Sequence, residues 1–410
     1  MHNGGSGRDG RYLSGRMDRP HESAHSPAGP SPLHNRRLLV IQPAIPEYRV
    51  GFFRTLAEEW PGEVVVAHGA DAGNSVANDT RPAPYRRVEI PWVASRWLGP
   101  QLAWAPIRDL ARTAALMIVP GDPHALVAHR LLVRRRLGGK APVIALSQFR
   151  GADARWLTSL IKPWWHRAFD ATILYTQREA QHYLGLGHVA DRLTWLDNGL
   201  ARLPEPPSAA ELLARQRSGP LVCLGRHVAK NRFDLAISGF CAYRQGGGQR
   251  QLVLIGQGPE TPALRQLAED LGSGCAAAIT FAGSIYDPVE LDAILRRCGA
   301  AIHPLAMGLS VNTAFSYGLQ VIACGDDRRH MPEFWIWQDG ITGMGIPAPR
   351  GREALAIPAI AAALQRLDAL SCDEYARMAH AAYAAVAPLT TKGMADRVGA
   401  LCRSLLGLPP

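Results

Sequence analysis

The chain contains 410 residues, which is enough for two domains of ordinary size. Apolar residues make up 47% of the sequence and charged residues 20%, a balance typical of a protein that buries a full hydrophobic core. The net charge of +10 favours an anionic ligand, a nucleic acid or an anionic membrane surface as a partner. No apolar run approaches about 18 residues, which excludes a transmembrane helix, and the polar N-terminus lacks the apolar segment of a secretory signal.

The cysteines and the basic residues further limit the classes of protein that fit this sequence. All seven cysteines lie at or after Cys223 and none forms a Cys-x-x-Cys pair, so we expect reduced thiols in a cytoplasmic protein, without a disulfide framework or a structural zinc site. The sequence contains no zinc finger and no RNA-binding aromatic pattern, and its one tight basic cluster, 134–136, is typical of a solvated helix face. We therefore expect no nucleic-acid partner.

The first half of the chain is predicted to consist of a tail followed by an α/β domain. Residues 1–35 are rich in glycine, serine, proline, histidine and arginine and are predicted to be disordered. Over residues 36–200, short apolar runs alternate with amphipathic stretches such as Glu47–Trp60. The predicted strands are Leu38–Ile41, Val64–Ala67, Ala115–Val119, Pro142–Leu146, Ala171–Tyr175 and Leu193–Leu196. This alternation predicts a parallel sheet covered on both faces.

A linker separates this domain from a second one. Asn198-Gly199 and three prolines up to Pro207 mark a break, and we assign residues 201–218 to the linker. The alternation resumes over residues 219–387, and residues 388–410 are predicted to form a C-terminal helix that packs back on the N-terminal domain. The predicted strands here are Leu221–Leu224, Leu252–Ile255, Ala278–Phe281, Ala300–His303 and Gln320–Ala323, with helices near 230–244, 259–271, 287–297, 309–317 and 372–407. We predict an α/β protein of two Rossmann-like, doubly wound domains that face each other across a cleft, with a ligand at the carboxyl ends of the strands.

Two junctions of the second domain place glycine next to charged or polar residues. The first follows a strand and reads Gly225-Arg226-His227-Val228-Ala229-Lys230, and its two cations at one strand end suit a diphosphate. Two solvated charges that open a helix are the alternative interpretation. The second, Gly256-Gln257-Gly258, is a tight turn into a helix. It lacks the third glycine of the dinucleotide-binding fingerprint and the lysine of a P-loop.

Two later segments add a possible anion site and a group of polar residues. In residues 303–312 a strand leads into a helix, and free backbone N–H groups at the start of that helix would bind an anion. These groups belong to Gly308, Leu309 and Ser310. An ordinary helix start fits the same residues. In the segment 325–343, the adjacent Asp326 and Asp327 have no third metal ligand in view and are typical of a turn.

The order of these junctions resembles the donor half of glycosyltransferase family 4. A Gly-Arg…Lys junction, a Gly-x-Gly-Pro-Glu turn, a Phe-x-Gly strand end at Phe281–Gly283, the segment GLSVNTAFSYGLQVIA and a late glutamate follow one another as in that family. The resemblance covers about residues 38–390 and is most specific over 221–343. The motif PxYRxxFFxxL, which begins at Pro46, and the segment Ile173-Leu174-Tyr175-Thr176 resemble a subset of the family involved in surface-polysaccharide assembly.

The resemblance implies the GT-B fold and transfer of a sugar, with retention of anomeric configuration, from a nucleotide-sugar donor to a saccharide or lipid-linked saccharide acceptor. It implies that Arg226 and Lys230 bind the donor diphosphate. The family often has a histidine near the reaction centre; here Arg150 or Gln148 would replace it, or no residue does. Residues 281–287 would edge the nucleobase. The other donor contacts implied are Gly225, Gly256, Gly258, Gly283, Gly308, Leu309, Ser310 and Glu333. We expect no metal ion and no other cofactor, because cations and backbone N–H groups would stabilise the leaving group.

One departure from the family pattern keeps other functions open. Most members carry two glutamates eight positions apart around the GLSVxxA segment, and the matching positions here are Leu305 and Thr313. A GT-B protein that has lost catalysis and acts as a binding or scaffold subunit in polysaccharide assembly is therefore the main alternative. A sugar epimerase needs titratable groups on both sides of the sugar carbons, and the sequence offers no convincing pair.

The same sequence suggests a location at a membrane surface. Its basic charge, together with Trp97, Trp164 and Trp165, predicts peripheral contact with the inner face of the plasma membrane. Packing inside the first domain is an equally good interpretation of these tryptophans.

Overall fold

The computed structural model describes residues 36–70, 78–96, 98–149, 156–348 and 353–409. Its apolar runs form two parallel sheets. Successive residues of each strand join hydrophobic cores on opposite faces of the sheet. In the first strand, Leu38 and Val40 join one core, whereas Leu39 and Ile41 join the other. The predicted fold class, an α/β protein with two Rossmann-like domains, is confirmed.

The N-terminal domain is built on a seven-stranded sheet. Its strands are β1 (Arg37–Gln42), β2 (Val64–Gly69), β3 (Arg86–Ile90), β6 (Ala114–Pro120), β7 (Val143–Ser147), β8 (Ala171–Leu174) and β9 (Leu193–Trp195), and β4 (Trp92–Val93) and β5 (Gln101–Leu102) form a small antiparallel pair. Its helices are α1 (Glu47–Glu59), α2 (Trp104–Thr113), α3 (Leu126–Arg136), α4 (Trp156–His166) and α5 (Gln177–Gly185). The strand order is β3-β2-β1-β6-β7-β8-β9, and every neighbouring pair is parallel.

The C-terminal domain repeats this architecture with six strands. They are β10 (Leu221–Leu224), β11 (Leu252–Ile255), β12 (Ile279–Gly283), β13 (Ala300–Ile302), β14 (Gln320–Cys324) and β15 (Gly343–Ile346), in the order β12-β11-β10-β13-β14-β15. The helices are α6 (Ala209–Ser218), α7 (Phe233–Gln245), α8 (Thr261–Asp270), α9 (Ser273–Ala276), α10 (Pro288–Leu295), α11 (Ser310–Ser316), α12 (Glu353–Ala369), α13 (Cys372–Val386) and α14 (Thr391–Leu405). All its strand pairs are parallel, so the carboxyl ends of the strands lie at one edge of the sheet.

The chain crosses between the domains twice, and the two crossings lie side by side. The Leu200 N–H donates to the Leu389 carbonyl at 2.9 Å, and the Thr391 N–H donates to the Leu200 carbonyl at 3.2 Å. Gly199 is required here, because a Cβ at this position would lie 2.3 Å from the backbone of Thr390. Helix α14 then packs against α1 of the N-terminal domain.

One expectation about the cysteines was wrong. Cys241 of α7 and Cys275 of α9 form a disulfide, with their Cα atoms 5.5 Å apart. The two residues are 34 positions apart in sequence, and α7, α8 and α9 bring them together inside one apolar core. The other five cysteines form no disulfide.

Within the described ranges, no single helix is long and apolar enough to cross a membrane. Leu355–Ala369 and Cys372–Val386 are long and apolar enough only when taken as a pair, and this pair is bent by 114° at the break between them.

Candidate active site

The first glycine-containing turn lies at the carboxyl end of β10. Gly225 adopts φ 133°, a conformation that favours glycine, and its N–H donates to the Ile255 carbonyl at 3.0 Å. The Asn231 side chain donates to the Arg226 carbonyl at 2.7 Å and so closes the turn. Arg226 and Lys230 are both exposed on this turn. The structure thus places two cations at one strand end.

The Gly-x-Gly turn after β11 packs backbone to backbone against the first turn. Gly256 adopts φ 136°, and a Cβ on it would lie 1.9 Å from the Gly225 carbonyl oxygen. A Cβ on Gly258 would lie 2.2 Å from the His227 carbonyl oxygen. The Gly256 N–H donates to the Gly283 carbonyl at 2.7 Å, which fastens the end of β12 to the same edge. These glycines are therefore needed for close packing whatever ligand binds.

A cavity opens beside this packed edge. Its volume is about 520 Å³, and its lining includes Gly256, Gly258 and Gly283 together with Gln257, Thr261, Pro262, Arg265 and Phe281. The Arg265 guanidinium lies 4.4 Å from the centre of the Phe281 ring. The cavity thus combines an aromatic face, a cation and an amide side chain, which together suit a planar, polar ring.

His303 lies between the first turn and the loop that leads into α11. Its Nδ1 is 3.4 Å from the Ser310 hydroxyl, and its Cε1 is 3.6 Å from where a Cβ on Gly225 would lie. Burial lowers the pKa of His303 to about 3, and the nearby His330 contributes to the same shift. His303 is therefore neutral near pH 7. Its ring lies between the two segments that are predicted to bind phosphate.

Glu333 lies on the other side of the same loop. It belongs to a 3₁₀ helix, Pro332–Ile336, and is buried. Its Oε2 is 3.6 Å from where a Cβ on Gly308 would lie, and its Oε1 accepts a hydrogen bond of 2.6 Å from Asn198. His330 holds the segment: its Nδ1 accepts from the Met307 N–H, and its Nε2–H donates to the Cys324 carbonyl. The structure therefore brings Glu333 and Gly308 close together.

The N-terminal domain contributes a buried arginine to this region. Arg49, in the first turn of α1, is 1% exposed, and its guanidinium lies 4.9 Å from the Tyr175 ring and 5.6 Å from the Tyr48 ring. Desolvation raises the pKa of Tyr48, Arg49 lowers it, and Tyr175 and Glu333 raise it. The Glu333 carboxylate of the C-terminal domain therefore lies close enough to Tyr48 to contribute to the rise in its pKa.

The remaining predicted residues divide into three groups. Arg150 lies outside the described residues, and Gln148 follows β7, where its carbonyl accepts from Lys162. Leu305 is buried in the apolar core, and the Thr313 hydroxyl donates to the Leu309 carbonyl, so the structure has no carboxylate at either position. Asp326 pairs with Arg328, and Asp327 pairs with Arg178. Across the described ranges, no group of three or more His, Cys, Asp or Glu could hold a metal ion.

Sequence reasoning missed Asn198 and Asn312. Asn198 was recognised only as part of a linker turn, but its side chain reaches Glu333, and its carbonyl accepts from the Asn312 side chain at 2.5 Å. The Asn-Gly pair after the last strand of the first domain was the available signal, and it indicated a turn without indicating a contact.

Comparison with known structures defines the fold. HepE from Anabaena, in a complex with UDP, matches 91% of this chain and 100% of its own with a TM-score of 0.64 and 14% identity. The pneumococcal O-GlcNAc transferase GtfA, in a complex with UDP and GlcNAc, matches 91% of this chain and 99% of its own with a TM-score of 0.65 and 10% identity. These likenesses extend over both domains and define the fold as GT-B.

Sequence comparison finds similarity over part of the chain. Residues 219–367 match the family model of the glycosyl transferases group 1. A GDP-mannose-dependent α-(1-6)-phosphatidylinositol monomannoside mannosyltransferase of Mycobacterium tuberculosis is 35% identical over 85 residues, 20% of this chain and 22% of that protein. The chain thus aligns with about a fifth of the length of the curated relatives it matches. The match of residues 219–367 to the glycosyl transferases group 1, together with the GT-B fold, agrees with the resemblance to glycosyltransferase family 4.

Proposed function

We propose that this protein is a glycosyltransferase that moves a sugar from a nucleotide-sugar donor to a saccharide or lipid-linked saccharide acceptor in polysaccharide biosynthesis. The observation that carries the proposal is the convergence at one sheet edge of the Arg226–Lys230 turn, the cavity beside Gly256 and the loop at Gly308. The family match supports it, and so do the UDP complexes of HepE and GtfA.

The proposed reaction separates a nucleoside diphosphate from the sugar. The bond from the sugar C1 to the diphosphate oxygen breaks, the acceptor hydroxyl oxygen bonds to C1, and the hydroxyl proton leaves with the diphosphate. Arg226, Lys230 and the backbone N–H groups of the 308–310 loop stabilise the charge that develops on the diphosphate. The nucleobase occupies the cavity lined by Phe281 and Arg265. The new bond forms on the face that the diphosphate leaves, so the anomeric configuration is retained.

The first test is a thermal-shift panel of UDP-, GDP- and dTDP-sugars, followed by transfer assays with the donor that stabilises the protein most. We expect one donor to raise the unfolding temperature and to be consumed when acceptor is added. NMR of the product identifies the anomeric configuration, and an inverted linkage would contradict retention. Activity is expected to persist in EDTA, because the proposed ligands of the diphosphate are the protein cations Arg226 and Lys230. A strict requirement for Mn²⁺ or Mg²⁺ would contradict this part of the proposal.

We also propose that the protein works at the cytoplasmic face of the membrane through α4. Trp164, Leu160 and Ile161 of this helix are exposed, and Arg167 lies 4.3 Å from the Trp164 ring. Trp165 instead packs inside the domain against Phe169, and Trp97 lies outside the described residues.

The membrane proposal is tested with vesicles. Binding is expected to rise with the fraction of anionic lipid and to fall with salt. Trp164→Ser should weaken it, whereas Tyr286→Ser, a change at an exposed aromatic residue of the other domain, should not. Equal binding by the two variants, or no binding to anionic vesicles at low salt, would contradict this location.

The second candidate is a catalytically inactive GT-B subunit that binds or scaffolds other components of a polysaccharide assembly. Leu305 and Thr313, which stand where the family has glutamates, favour it. Calorimetry with the same donor panel distinguishes the two functions, because a folded protein that binds no nucleotide sugar would favour the scaffold.

A further inference from the structure

The linker between the domains makes two contacts with elements that border the proposed donor site. The Asn198 side-chain N–H donates to Glu333 Oε1 at 2.6 Å, and the Asn198 carbonyl accepts from the Asn312 side chain at 2.5 Å. Asn198 is 3% exposed, Asn312 1% and Glu333 8%. A single linker residue thus joins α11 to the 3₁₀ helix that carries Glu333.

The backbone around Asn198 is built to present it in this way. Asp197 adopts φ 44°, an uncommon value for a residue with a side chain, and its carboxylate accepts from the Gln177 N–H at 2.9 Å. On the other side, Gly199 allows the linker to lie against the backbone of Thr390. Residues 197–199 are therefore held from both sides, so that the Asn198 backbone carbonyl faces Asn312 of α11 and its side chain reaches Glu333.

The chemistry of the contact explains why the residue is an asparagine. A buried carboxylate is costly without a donor, and the neutral amide provides one without adding a second charge. An alanine would leave Glu333 Oε1 without that donor. An aspartate would place two carboxylates at hydrogen-bond distance, and they could coexist only by sharing a proton.

We propose that Asn198 is a positioning residue: it fixes Glu333 beside Gly308 and so couples the placement of the linker to the geometry of sugar transfer. The inference rests on the proposed function. Asn198 itself touches no reacting group. It acts through the Glu333 carboxylate, which faces the loop expected to hold the donor phosphate and sugar.

The test compares wild type with Asn198→Ala, Asn198→Asp, Glu333→Gln and the double variant Asn198→Asp/Glu333→Gln. Gln216→Glu is the matched control, because it also converts a partly buried amide that donates to a neighbour, here the Leu370 carbonyl, into a carboxylate. Each variant is measured for kcat and KM with the donor that wild type prefers, for nucleoside diphosphate affinity and for unfolding temperature.

We expect Asn198→Ala to lower kcat at least ~10-fold, the scale of one hydrogen bond to a charged group. Nucleoside diphosphate affinity should stay within about 3-fold of wild type, because the hydrogen bonds of Asn198 go to Glu333 and Asn312, and Arg226 and Lys230 are unchanged in the variant. The activity of Asn198→Asp relative to wild type should rise as the pH falls from 8 to 6, because one of the two carboxylates must take up a proton. In the double variant the two groups exchange roles, so that the amide introduced at position 333 donates to the carboxylate introduced at position 198. The pH dependence should then disappear, and kcat should match that of Glu333→Gln alone.

Two results would overturn the inference. One is that Asn198→Ala and Asn198→Asp keep wild-type kcat; the other is that the losses of the two single variants multiply in the double variant. If the variants lose only thermal stability, and kcat of the folded protein is intact, Asn198 is structural and does not position Glu333. A wild-type protein that transfers no sugar refutes the proposed function, whereas an active wild type with fully active Asn198 variants refutes the positioning role alone.

Discussion

The substitution Lys230→Ala separates the proposed role of this lysine from any role in folding. Lys230 is exposed in the short 3₁₀ helix Ala229–Asn231, so its removal should change the free energy of unfolding by no more than ~0.5 kcal/mol. Its proposed role appears only when charge develops on the departing diphosphate. Removal of one preorganised donor of this kind costs ~100- to 1000-fold in rate. Because Arg226 remains on the same turn to share the charge, we expect the lower end, a loss in kcat/KM of about 100-fold.

The assay measures nucleoside diphosphate release at donor concentrations below KM, with the unfolding temperature recorded for each variant. Lys392→Ala is the matched control. Lys392 is an exposed lysine of α14 that pairs with Glu59 and Asp396, away from the proposed site. A Lys230→Ala variant with wild-type stability and a rate within about 3-fold of wild type would contradict the proposed role of Lys230 in stabilising the departing diphosphate.

Three further changes test the packing, the cavity and the buried histidines. Gly256→Ala should lower the unfolding temperature by several degrees, because its Cβ would lie 1.9 Å from a carbonyl oxygen, whereas Gly274→Ala, with nothing within 4 Å, should not. Arg265→Ala should weaken nucleotide affinity ~10-fold in calorimetry without changing kcat at saturating donor, and unchanged affinity would place the base elsewhere. Burial lowers the pKa of His166, His303 and His330 from 6.5 to about 4, 3 and 4, so below about pH 6.5 the unfolded state binds protons that the folded state does not. The free energy of unfolding should therefore decrease as the pH falls from about 6.5 to 4, and a flat profile in denaturant titrations would contradict this.

The strands with a continuous apolar run could be predicted from the sequence, whereas two strands without such a run were missed. β10 and β11 lie between other strands and are continuous apolar runs, so their composition alone identifies them. β3 is an edge strand that begins with two arginines and is partly exposed, and β15 begins in a glycine-rich segment, so neither has an apolar run to recognise. Helix α12 contains Pro358, which weakens its helical signal.

The candidate site divides in the same way. The glycines of the two turns could be placed at the edge because they follow strands, and parallel strands end at one edge of a sheet. Glu333 was predicted only through the resemblance to the family. The Asn198–Glu333 contact could not, because it joins residues 135 positions apart and depends on how the linker lies between the domains. Local patterns predict which residues occupy an edge, whereas contacts between the domains depend on the final packing.

The missing family glutamates have a physical counterpart in this fold. Leu305 is part of the apolar core, so a carboxylate there would have to replace buried hydrocarbon, and the Thr313 hydroxyl is already bonded within α11. Glu333 is different, because it has an amide donor in Asn198 and one oxygen against Gly308. Negative charge beside the 308–310 loop therefore comes from the segment after β14 and depends on a linker residue. In the proposed enzyme, the electrostatics of the donor site and the arrangement of the two domains are consequently set by one shared contact.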